Sequence, residues 1–151
     1  MAVKELIFYD ENASEQFGKN FASTIKQGDI IALYGDLGAG KTTLARAIIR
    51  TLMQDKKIEI PSPSFAIVQP YENKKISILH VDLYRINDEN EIDELGLFDD
   101  KNAIILVEWP QNSSHIEAIA NWQIYIEIEP TSQARNIRII GETKRLNKLI
   151  D

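Results

Sequence analysis

The sequence predicts an α/β fold, a mixed sheet with a mainly parallel core, an antiparallel C-terminal hairpin and flanking helices. Three observations predict it. Asp29 to Tyr34 carries Ile30, Ile31, Ala32 and Leu33 without alternation, as a strand covered on both faces does, so parallel neighbours are expected. A glycine-rich loop follows directly, and behind it Leu44, Ile48 and Leu52 recur at helical spacing. Near the C-terminus Trp122, Ile124, Ile126 and Ile128 alternate strictly with Gln123, Tyr125, Glu127 and Glu129, the period of a half-buried strand.

Taken in chain order, Lys4 to Tyr9 is a short apolar run bounded by polar residues and reads as a first strand. Asn12 and Ser14 can cap a helix carrying Phe17, Phe21 and Ile25 at four-residue spacing, with Gly28 at the expected C-cap. The strand at Asp29 to Tyr34 hands over to the glycine loop, and a helix is expected over Lys41 to Met53. Ile76 to Asp82 and Ala103 to Glu108 are two further apolar runs, each ending in an acid. Between them Asp88 to Leu97 is an acidic excursion, helical or looped. Ile137 and Ile139 alternate around Arg138, so the last two strands form a hairpin joined across Pro130 to Ala134. With no repeat, linker or low-complexity tract, residues 1–151 are read as one domain.

Composition sets the limits on function. The 151 residues carry 17 basic and 23 acidic side chains, a net charge of -6, and such a field repels phosphodiester backbones. Direct binding of DNA or RNA is therefore not expected. There is no cysteine, which excludes disulfides, thiolate catalysis and cysteine-based zinc sites. The start MAVKELIFYDENAS has no basic segment followed by an apolar one, and no apolar run approaches about 20 residues. A cytoplasmic address without membrane attachment is expected.

Residues 35–42 read GDLGAGKT, the G-x-x-x-x-G-K-[ST] pattern. Phosphates need many donors close together, and glycine lets backbone amides converge without a Cβ in the way. Gly38, Ala39 and Gly40 lead into Lys41, placed to reach the terminal phosphates. The Thr42 hydroxyl is placed to hold magnesium, Thr43 follows, and the helix points its positive end at the anion. The fold class is accordingly P-loop NTPase-like, with ATP and Mg2+ as expected ligands.

Magnesium also calls for a carboxylate at the carboxyl end of a neighbouring strand. Asp82 and Glu108 both qualify. Glu108 ends the more apolar strand and looks like the Walker B acid, but the sequence leaves the division between metal binding and water orientation open. Ser62-Pro63-Ser64-Phe65 occupies the interval where P-loop proteins sense the γ-phosphate. His80, two residues before Asp82, shares its face in a strand.

GDLGAGKTT at 35–43, SPSF at 62–65, HVDLYR at 80–85, ELGL at 94–97 and VEWP at 107–110 together resemble the TsaE family, the ATPase of bacterial tRNA threonylcarbamoyladenosine biosynthesis. The likeness covers essentially the whole chain, with Ser64 where the family usually has threonine. It implies that Lys41 and Thr42 bind the phosphates and magnesium, that Glu108 is the magnesium-side acid, and that Asp82 is a second acid needed for hydrolysis. It places Trp109 beside the nucleotide and sets nucleotide contacts at Glu11 and Arg135. It further implies a partner complex resembling TsaB and TsaD that modifies adenosine 37 of tRNA, which the chain itself meets only indirectly.

Two other classes share the loop. A small-molecule kinase needs an arginine-bearing lid, and Asp88 to Leu97 carries no arginine. A GTPase switch reads guanine with Asn-Lys-x-Asp, whereas Asn147-Lys148 is followed by Leu149, Ile150 and Asp151, one position late. Asp93 to Gly96 spells D-x-x-G, preceded by an acidic stretch instead of a strand.

Overall fold

The computed structural model describes residues 1–149. Its centre is β2 (Ile30–Tyr34), buried at all five positions, as its unbroken apolar run requires. Both neighbours are parallel: β5 (Ile104–Glu108) on one side, with Ile31 opposite Leu106, and β6 (Trp122–Ile128) on the other, with Leu33 opposite Ile124. Among the described residues seven strands lie in the order β1 (Ala2–Phe8), β7 (Arg135–Gly141), β6, β2, β5, β4 (Ser77–Asp82) and β3 (Val68–Glu72). β4 extends the parallel core beside β5. β7 closes the expected hairpin with β6, and β1 pairs antiparallel with β7.

The seventh strand, β3, pairs antiparallel with β4. Pro70 at its middle argues against a strand, but β3 is the sheet's edge, where a missing N–H costs no ladder bond.

Helices cover both faces. α1 (Glu11–Ala22) and α2 (Lys41–Met53) pack on one, where Phe17, Phe21, Leu44 and Ile48 meet Ile31, Leu33, Leu106 and Trp122. A chain of rings runs through this core, from Phe8 to Phe17 at 5.4 Å and from Phe21 edge-on to Trp122 at 4.8 Å. Truncating either fully buried ring of the last pair to alanine costs about 3–5 kcal/mol. The other face holds Ile30, Val81, Leu83, Ile105 and Val107 under Ile92 of α3 (Glu89–Asp93) and Ile116 of α4 (Ser114–Ile119). A short α5 (Thr143–Leu146) follows β7.

α1 departs from expectation at both ends. Its cap is Asp10, whose carboxylate accepts from the Ala13 N–H at 2.8 Å, not Asn12 or Ser14. It stops at Ala22 because Ser23 and Thr24 turn their hydroxyls back onto the carbonyls of Asn20 and Phe21. Ile25 lies beyond the helix yet still packs on the core. Gly28, at φ +85°, serves the turn into β2.

Alternation assigns the polar ends of the strands. On β4, Ile78, His80 and Asp82 face α2, as do Ile104, Leu106 and Glu108 on β5. The parallel core strands end at one edge of the sheet, and ligands bind at that edge in open α/β folds.

Candidate functional site

The loop from Gly35 to Gly40 spans the gap between the end of β2 and the start of α2. Gly40 takes φ +111° at the N-cap of α2, a left-handed value that a Cβ would strain. The turn leaves the first amides of α2 directed into a pocket of about 230 Å3. Its walls bring together Gly38, Ala39, Gly40, Lys41, Thr42 and Thr43 with Asp82, Glu108 and Trp109, and with Ser62 and Ser64 of the predicted sensing segment.

Four charged or polar side chains at this edge are taken almost wholly out of water: Lys41 is 5% exposed, Asp82 5%, Glu108 3% and His80 0%. The Lys41 ammonium donates to the carbonyls of Gly35 and Asp36 and lies 4.4 Å from the Trp109 ring centroid. Burial pulls its pKa below the ordinary lysine value, opposed by the carboxylates of Glu108, Asp82 and Asp36. Trp109 reaches this place because its backbone adopts φ +60° immediately before Pro110, a sparsely populated conformation that turns the chain at the end of β5. Tyr84 packs on the outer side of the same indole at 4.9 Å.

The two strand-end acids are opposite each other in the β4–β5 register, and their environments differ. Glu108 accepts from Thr42 Oγ1, at 3.0 Å to Oε1 and 3.2 Å to Oε2, and its Oε2 lies 2.6 Å from His80 Nε2. Asp82 accepts from the Tyr84 N–H at 2.9 Å and from Ser64 Oγ at 3.4 Å, while Ser64 and Ser62 share a hydroxyl contact of 2.8 Å. Burial pushes the Asp82 carboxyl above its usual range, with the Glu108 charge adding to the rise; the Tyr84 N–H, Ser64 and Lys41 pull the other way. Thr42 and Glu108 therefore present adjacent oxygen donors, the kind a hard divalent cation takes. Asp82 is tied instead to the serine segment. Among the described residues no three His, Asp or Glu side chains form a cage for a metal ion on their own.

Two site residues from the family resemblance lie outside the pocket wall. Glu11 starts α1 and lines a neighbouring groove with Thr43, Arg46 and Arg50. Arg135 opens β7, and its Nε donates to the Ala39 carbonyl at 2.9 Å, bracing the loop from behind. Neither that brace nor the link between His80 and Glu108 is legible in the sequence, because both join residues far apart in the chain. Asp93 to Gly96 starts on the last residue of α3 and lines none of the pocket; Ile150 and Asp151, at the end of the late guanine-reading pattern, lie outside the described residues.

Comparison with known proteins agrees with the fold. Residues 8–138 match the family model of the threonylcarbamoyl adenosine biosynthesis protein TsaE. Similar proteins, each described as "tRNA threonylcarbamoyladenosine biosynthesis protein TsaE", occur in Rickettsia bellii and Haemophilus influenzae. The first is 37% identical, with 97% of this chain and 94% of the relative covered, and the second 33%, with 89% and 87% covered. The fold is similar to the crystal structure of Bacillus subtilis YdiB, at a TM-score of 0.69 and 26% identity over 99% of this chain and 93% of that one. With the family model matched from the end of β1 into β7 and relatives covered over most of both lengths, the chain belongs to the TsaE family.

Proposed function

We propose that the protein is the ATP-binding and ATP-hydrolysing component of tRNA N6-threonylcarbamoyladenosine modification, dependent on Mg2+ and acting on a partner complex resembling TsaB and TsaD. One observation carries the nucleotide part: the glycine loop, Lys41, Thr42 and Glu108 converge in one pocket at the carboxyl edge of the parallel strands. The family name of its relatives supports the pathway.

The amides of Gly38 to Thr43 and the Lys41 ammonium hold the triphosphate, and the burial of Lys41 strengthens the contact it makes. The oxygens of Thr42 and Glu108 fit Mg2+, which when bound neutralises charge on the β- and γ-phosphates. Trp109 shields the ammonium from water on its outer side. Asp82, whose carboxylate is poorly solvated and faces the pocket, orients the attacking water; as the water's oxygen bonds to the γ-phosphorus, the bond to ADP breaks, releasing ADP, phosphate and a proton. Ser64 couples Asp82 to the SPSF segment, so the state of the nucleotide reaches a partner through that segment. The net charge of -6 agrees with a subunit that works through proteins and meets tRNA only indirectly.

The test is the amount of threonylcarbamoyladenosine in tRNA from cells lacking this protein. A loss restored by the wild-type chain but not by Lys41→Ala is expected. Unchanged levels overturn the pathway assignment, and tight GTP preference in competition binding overturns the choice of ATP.

A further inference from the structure

His80 occupies a place in β4 that an aliphatic side chain would fill at no polar cost. It lies between Ile78 and Asp82 on the α2 face, opposite Leu106, with no exposure to solvent. Among the described residues its ring nitrogen Nδ1 has no hydrogen-bond partner, and an unpaired buried polar atom is destabilising. Its other nitrogen lies 2.6 Å from Glu108 Oε2. A carboxylate only accepts, so the ring proton sits on Nε2 and is donated to Glu108.

We infer that His80 is a positioning residue for Glu108: it pins Oε2 from the core side, which fixes the carboxylate plane and leaves Oε1 beside Thr42 for the metal. Glu108 is the last residue of β5 and, without this bond, keeps among the described residues only the Thr42 hydroxyl as a side-chain hydrogen-bond partner. The Thr42 hydroxyl would itself be a ligand of the cation. A ligand carboxylate held by a hydrogen-bond partner outside the coordination sphere loses about 10- to 100-fold in metal affinity when that partner goes. His80 thus acts on Mg2+ without touching nucleotide, and the inference rests on the function proposed above.

The experiment measures ATP affinity by calorimetry across a Mg2+ titration for the wild type, His80→Leu, His80→Gln and His80→Asn. Leucine fills the space but cannot donate. Glutamine brings an amide N–H to the place of Nε2; asparagine is one methylene short. His80→Leu is expected to bind Mg-free ATP within two-fold of wild type and to need about 10-fold or more Mg2+ for the same tightening, with His80→Gln restoring most of it. An unchanged Mg2+ requirement in folded His80→Leu, or a glutamine variant as defective as the leucine one, overturns the assignment. Where the leucine variant does not fold, equal Mg2+ responses of the glutamine and asparagine variants overturn it. A wild type whose ATP affinity ignores Mg2+ overturns the proposed function and this role with it, and is told apart by the wild-type curve alone.

Discussion

Asp82 and Glu108 are paired in register at the ends of adjacent parallel strands, yet only Glu108 is hydrogen-bonded to Thr42. Asp82 is turned to the Ser62–Ser64 segment. The sequence points to Glu108 as the Walker B acid but leaves metal binding and water orientation undivided between the two; the geometry gives them different partners.

Glu108→Ala is therefore expected to abolish Mg2+-dependent ATP turnover with the fold retained, because β5 stays buried on both sides without it. Steady-state phosphate release and circular dichroism measure the two halves of this statement. Unchanged turnover would move the metal role to Asp82.

Asp82→Asn should lower turnover while raising stability by about 1 kcal/mol, since it removes a buried carboxylate that faces a second one. The pH dependence has a definite sign. The folded-state pKa of Asp82 is raised above its ordinary 3.8, so its contribution to stability is fully present below that value and is lost as pH rises through the folded pKa. The advantage of the asparagine variant should accordingly grow with pH across that window and then level off. Urea unfolding at several pH values tests it, and an advantage that shrinks with rising pH contradicts it.

Lys41→Ala should weaken triphosphate binding by at least about 100-fold, the scale of a buried charge-assisted contact. Equilibrium dialysis with ATP gives the answer. Normal affinity would sink the phosphate-cradle assignment.

A fourth expectation concerns the frame. The Arg145 guanidinium in α5 is buried against the Asp29 carboxylate and the Thr24 carbonyl, with the Trp122 ring 5.1 Å away. Arg145→Met leaves Asp29 buried without its partner and should cost about 3–5 kcal/mol. Adding Asp29→Asn should return much of that loss in a double-mutant cycle, and additive losses would show that the pair is not coupled.

What the sequence disclosed follows from the range of each interaction. α2 could be bounded at Lys41 and Met53 because its apolar spacing and the glycine loop are local. β2 could be placed in a parallel setting because five consecutive apolar residues admit no exposed face. β3 carries no local strand signal, since Pro70 sits at its middle and is tolerated only because the strand is an edge, which depends on the pairing of distant segments. The end of α1 was misjudged because Ile25 keeps helical spacing, while the Ser23 and Thr24 hydroxyls that end the helix give only a weak local signal. At the site, the face shared by His80 and Asp82 followed from strand alternation alone. The bond from His80 to Glu108 did not, since 28 residues separate them and only the β4–β5 pairing brings them together.

The position of β2 between β5 and β6 also bears on how the molecule comes into being. The strand that launches the phosphate loop has no partner within its own half of the chain; both ladders wait for residues 104–128. During synthesis its five apolar residues emerge with two open edges, a template for unwanted pairing, and such long-range closure slows folding. A nascent chain released before β5 should bind no nucleotide and should aggregate, so competence for ATP arrives late in the life of each new molecule, with the last strands instead of with the loop that is read first.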